Sequence, residues 1–183
     1  MKKLICLVLA ALLCVGAVAL AEAASSKTTG DMNQTTGTKT ETGKESGVVV
    51  TFDVSAEAKL RAEEERQKLA DSASPDDYFG VSVTEKLGVD KVNVHEFLAF
   101  NVINYDPAEG SVTTTICFTT PYKANERVLV MVGVTNANGE IEWVALEGVG
   151  TGVNGEITVT FPADLLEAIK ASGVEPLMAV VSA

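Results

Sequence analysis

Few side chains in this sequence are equipped for chemistry, and the first to weigh is His95, the only histidine, followed directly by Glu96. The two would make a base and its orienting carboxylate only if they shared a face. They fall in a strand-like run, where neighbours point to opposite faces, so His95 reads as a hydrogen-bonded structural residue. A single histidine also excludes two-histidine zinc motifs and leaves every Ser-His-Asp or Cys-His scheme dependent on it. Asp76 with Asp77, and Glu63 to Glu65, are carboxylates of the kind a glycosidase sets at fixed separation across a cleft. Here they fall at a helix cap and on a helix surface. Asn136 and Asn138, followed by Gly139, offer hard oxygens for calcium, but the run lacks the initiating Asp and the distal Glu of a calcium loop. No catalytic residue, metal ligand set or cofactor is expected.

Binding is the alternative to catalysis, and here the aromatic residues matter. Trp143 is the sole tryptophan, with Ile141 and Ala145 on its own face, and it reads as a core residue. Presented flat on the surface beside Tyr105 or Tyr122, it would instead form a platform for a sugar ring. Trp143, Tyr122 and Tyr105 are therefore the candidate ligand-binding residues. Tyr78 and Phe79, adjacent on one short turn, read as a plug that closes an end of the fold.

The elements that must position these residues are legible from periodicity. Val48, Val50, Phe52 and Val54 alternate as a half-buried strand does. A charged helix follows, capped by Ser55, with Glu57/Arg61 and Glu64/Lys68 spaced for i,i+4 pairs and a thin apolar stripe of alanines and Leu69. Ser74-Pro75-Asp76-Asp77 is a second helix start, stopped by Gly80. Val92 to Tyr105 is too long for one ordinary strand and predicts a bulge or bend near Glu96 or Asn101. In Ser111 to Phe118, the even positions face the core, and Cys117 lies on the polar face with Thr113 and Thr115. Val128 to Val134, apolar on both faces, predicts a central strand, and Asn136 to Gly139 a hairpin. Glu140 to Leu146 is the next strand, then a glycine-rich link over Gly148 to Gly155, then Glu156 to Phe161. A short amphipathic helix over Ala163 to Lys170 is expected to cover the Cys117 face, and Leu177 to Val181 is the last strand.

These elements predict a mainly β fold. The expectation is an immunoglobulin-like antiparallel β-sandwich of about seven strands, with an N-terminal charged helix and a short helix before the last strand. Residues 48–183 are expected to form this one domain, including the helical segment 55–79. Ahead of it, 22–47 is nearly all Ser, Thr, Gly, Lys, Glu and Asn and reads as a disordered tether, because too little apolar surface is present to offset the entropy of ordering it.

Residues 1–21 read as a signal peptide: Lys2 and Lys3, an apolar run from Leu4 to Ala19, and Ala19-Leu20-Ala21 at a small-x-small cleavage site. Cleavage would remove Cys6 and Cys14, leaving Cys117 of the three cysteines. It would also remove two of the 14 basic residues and none of the 25 acidic ones, so the net charge falls from −11 to about −13. Such acidity argues against nucleic acid and anionic lipid as partners. The segment from Phe97 to Val181 resembles small uncharacterised secreted β-sandwich domains of Gram-positive anaerobes. The resemblance rests on Tyr105-Asp106 with Gly110, Thr120-Pro121-Tyr122, and the run from Glu142 to Gly148. It implies export and the sandwich, and no activity. The functional expectation is a secreted or cell-surface, non-enzymatic binding or structural module whose partner is a glycan, the cell wall or an extracellular protein. The alternatives are a carbohydrate-binding module using exposed aromatics, and an adhesin or inhibitor-like protein-binding domain.

Overall fold

The structure is a computed structural model that describes residues 35–40, 45–153 and 155–183. The expected signal peptide and most of the expected tether lie outside them. Eight strands run in chain order as β1 (Thr35–Thr40), β2 (Val49–Asp53), β3 (Asn93–Ile103), β4 (Val112–Cys117), β5 (Arg127–Thr135), β6 (Ile141–Gly150), β7 (Glu156–Phe161) and β8 (Leu177–Ser182). Helices α1 (Ala56–Asp71), α2 (Pro75–Phe79) and α3 (Val83–Leu87) follow β2, and α4 (Ala163–Ser172) precedes β8. All described strands belong to one antiparallel sheet, in the order β1-β4-β7-β6-β5-β8-β3-β2. Its two ends, β1 and β2, come back into contact, so the sheet is nearly closed. Seven of the strands, β2 to β8, carry the core, and β1 adds an outer edge to β4.

Alternation decides which side chains fill the interior. In β4, Val112, Thr114 and Ile116 are buried, and in β7 so are Ile157, Val159 and Phe161. Their outward neighbours pair across the strands, Thr113 with Thr160 at 2.7 Å and Thr115 with Thr158 at 3.1 Å between hydroxyls. Strands β5 and β8 are buried on both faces. One face meets the inner core of Phe100, Phe161, Val130 and Met178; the other meets an outer core of Phe79, Val83, Leu129, Met131 and Val181 under the helices. Burying each such large side chain contributes roughly 1.5–3 kcal/mol, so the helical segment is part of the fold and not an appendage.

Four expectations are corrected. Thr35–Thr40, within the expected tether, pairs with β4, and Ser46 and Gly47 are also held, the first donating to the Glu109 carboxylate and the second accepting from Asn104 Nδ2. Backbone pairing satisfies an edge strand without apolar side chains, which composition alone does not register. The glycine-rich link is shorter than expected, because β6 runs on through Gly150; a Cβ on Gly148 would lie 2.8 Å from Ile157 and 2.9 Å from Val128, so glycine is there for close strand approach. The ion pairs of α1 are Glu63–Arg66 at 2.9 Å and Glu65–Lys68 at 2.5 Å, spaced three apart, in place of the two expected pairs. Finally, α4 does not cover the Cys117 face: Leu165, Leu166 and Ile169 join the inner core together with Ile116. The bulge expected in the long strand falls between Val94 and Phe97, where the β3–β8 register shifts.

Candidate functional site

A polar groove lies between α1 and the β5–β6 hairpin. The hairpin is locked by Asn136, whose Oδ1 accepts from the amides of Asn138 (2.9 Å) and Glu140 (3.0 Å) and whose Nδ2 donates to Glu142 (2.8 Å). That carboxamide is used in the turn, not offered to a cation. On β6, Trp143 stands opposite Gly133 of β5. A Cβ on Gly133 would lie 2.9 Å from the indole Cζ3, so the absence of a side chain lets the ring lie against the strand. Behind it, α2 supplies Tyr78 and Phe79, with ring centroids 5.8 and 5.1 Å from the indole, and β3 supplies Phe97 at 6.0 Å.

Helix α2 is itself fixed by the signals expected of it. Ser74 Oγ accepts from the Asp77 amide and donates to its carboxylate at 2.7 Å, Pro75 starts the helix, and Gly80 ends it with φ +62°. Asp76 reaches forward to accept from Thr84 Oγ1 at 2.6 Å, tying α2 to α3. The aromatic pair is packed as expected of a plug, but over the outer face of the sheet.

Trp143 is half-buried, and its open part lines a groove of about 610 Å³ together with Arg61, Glu64, Glu65, Lys68 and Glu140. Glu65 is buried at 6 % exposure and accepts from Tyr78 Oη at 2.7 Å and Lys68 Nζ at 2.5 Å. Burial, then the Glu65 hydrogen bond and charge, hold the Tyr78 hydroxyl protonated far above the usual tyrosine range. Arg61 Nη2 is shut off from solvent with no hydrogen-bond partner among the described residues. The groove thus offers one aromatic face, carboxylate acceptors and cationic donors, which suits a hydroxyl-rich ligand with an apolar side.

The other aromatic candidates lie elsewhere. Tyr122 is 4 % exposed inside the inner core, and its hydroxyl has no hydrogen-bond partner among the described residues. Tyr105 is half-buried beside α4, donating to the Gly110 carbonyl at 3.2 Å. Neither shares the Trp143 groove.

A second polar constellation forms at the β3 bulge. Glu96 is 5 % exposed, and its Oε1 accepts from Thr119 Oγ1 (2.8 Å), Thr120 Oγ1 (2.9 Å) and the Thr120 amide (3.3 Å). His95 Nε2 lies 2.8 Å from Ser182 Oγ, a contact across the β3–β8 ladder that sequence spacing could not reveal. Burial holds the imidazole below its ordinary value, against the Glu96 and Glu126 carboxylates. Ser182 is buried, and neither residue of the pair lines the Trp143 groove. Strict alternation, expected to set His95 and Glu96 on opposite faces, fails here because the β3–β8 register shifts between Val94 and Phe97: His95 faces Ser182 and the Tyr122 ring, with centroids 6.1 Å apart, while Glu96 is held by Thr119 and Thr120. Cys117 is half-buried opposite Glu156, and burial, then that carboxylate, pushes its thiol up. Among the described residues no group of three or more His, Cys, Asp or Glu side chains is arranged to hold a metal ion.

Compared with family models, curated proteins and solved structures, the chain has no significant match.

Proposed function

We propose that this protein is an exported, non-enzymatic binding module that holds a glycan in the groove beside Trp143. The observation that carries the reading is the indole itself: half-open, backed by Tyr78, Phe79 and Phe97, and facing a groove of carboxylates and cations. A pyranose presents C–H groups on one face, which pack on an aromatic ring, and hydroxyls at its rim, which exchange hydrogen bonds with Glu64, Glu140 and Arg61. His95 supports a binding role over catalysis, since the only imidazole of the chain is engaged with Ser182 away from the groove.

The export part of the reading rests on the n-region, apolar run and cleavage site of residues 1–21, and on the likeness to secreted domains of Gram-positive anaerobes. Among the described residues no helix is long and apolar enough to cross a membrane. For the architecture we favour two facing layers, β4-β7-β6 across the inner core from β8-β3-β2, joined through β5. Side chains from both sets meeting in one core support this sandwich-like arrangement.

Trp143, as the sole tryptophan, is a built-in reporter. Soluble glycans and wall fragments titrated into the whole protein are expected to shift and quench its emission saturably, and Glu140→Gln is expected to weaken binding several-fold without loss of secondary structure. No emission change and no retention on any glycan would overturn the reading.

A further inference from the structure

Two cavities adjoin at the loop 173–176. One is the Trp143 groove. The other, of about 340 Å³, contains Tyr105, Asn101 and Lys170, and Val174 lines both. Each alone has the size of a site for one small ligand. Sharing Val174, the two adjoin as a two-part track.

On the glycan reading above, we infer that the ligand is a chain: a linear, neutral oligosaccharide that runs from Trp143 past Val174 to Tyr105. Two aromatic side chains stand at separate stations of the track, as successive sugar rings require. Between and around them carboxylates alternate with Arg61, Lys68 and Lys170, so neither sign of charge prevails locally, while the net charge of −11 repels a polyanion. An extended peptide is held mainly by ladder hydrogen bonds to a strand edge. This track instead crosses side chains of α1, the hairpin and α4.

The test uses the whole protein and a series of β-1,4-linked glucose and N-acetylglucosamine oligosaccharides, from monosaccharide to hexasaccharide, read by Trp143 emission. Affinity is expected to rise with length, because each added ring binds as part of a tethered ligand. Tyr105→Ala and Val174→Phe, the latter placed at a position 41 % exposed where a larger side chain obstructs the junction without adding a second indole, are expected to weaken the hexasaccharide roughly tenfold. Both should leave the shortest oligomer that binds unchanged. Binding that is independent of length, or a hexasaccharide insensitive to both substitutions, would overturn the track while leaving the Trp143 site intact. Failure of every saccharide to move Trp143 would overturn the glycan reading itself, and displacement of the hexasaccharide by an unrelated extended peptide would overturn the choice of ligand class.

Discussion

Gly133 and Trp143 are a single device made of two residues. In Gly133→Ala the new methyl would meet Ile141 Cγ2 at 2.7 Å and the indole at 2.9 Å. The expected result is a loss of about 1–3 kcal/mol in denaturant unfolding, with a shifted Trp143 emission that reports the displaced ring. Gly155 is less forgiving: its φ is +78°, and a Cβ would fall 1.9 Å from the Phe118 carbonyl oxygen. Gly155→Ala should cost about 3 kcal/mol or more, since backbone and not a side-chain tip must yield. Glu96 gathers two hydroxyls and an amide, so Glu96→Ala leaves three donors stranded and is expected to cost about 2–4 kcal/mol. His95 sets a pH dependence. Burial keeps its folded pKa below 6.5, so as pH falls below 6.5 the unfolded chain takes up a proton that the folded chain still refuses. Stability is lost with falling pH through that window. In His95→Gln this part of the slope should vanish; an unchanged slope would mean the imidazole is not the group responsible.

At the scale of elements, what could be read from the sequence was whatever local chemistry specifies. Ser55 and Ser74-Pro75 announce helix starts, Asn136 to Gly139 a hairpin, and the two-sided apolar run of β5 a central strand, because each is decided within a few residues. The features that escaped are decided by distant partners. Helix α3 has only five residues, too few to show a period; Ser82 and Glu85 have capping-box spacing, but Ser82 makes no side-chain cap bond, and Asp76 anchors Thr84 instead. The seat of α4 depended on which face of β4 the inner core would claim. The groove was half legible: Trp143 was a candidate, while Arg61, Glu64, Lys68 and Glu140 come to it only through the docking of α1 on β3 beside the hairpin. Strand β1 was invisible for the same reason, and it supports a prediction. Deleting residues 22–44 should leave a cooperative fold, because β2 to β8 carry the core, at a cost of about 1–2 kcal/mol from lost ladder bonds. It should also open the β4 edge, so sedimentation is expected to show concentration-dependent self-association that the longer chain lacks.

For the whole molecule, the decisive fact is that β5 and β8 belong to two cores at once. Neither core can melt alone without stripping one face of the same two strands, so unfolding is expected to be a single transition. Trp143 emission, which watches the outer core, and far-UV circular dichroism, which watches the sheet, should give one denaturant midpoint; separated midpoints would show that the helical layer is an independent unit. The position of β8 carries a further consequence, for the order of events in time. It is the last strand of the sheet to be synthesised, yet it lies wedged between β3 and β5, the strands that form the floor for α1 and α3. A chain emerging from its N-terminus holds β2 to β7 with a vacant slot in the middle, and the two ladders that β8 makes with β3 and β5 must wait for Leu177–Ser182, more than 70 positions downstream of β3, as Asn93 pairs with Ser182. The β2–β3 pair therefore joins the rest of the sheet only when β8 arrives, a long-range closure of the kind that folds slowly. On the export reading proposed above, a keystone that arrives last helps to keep the polypeptide threadable until it has cleared the channel.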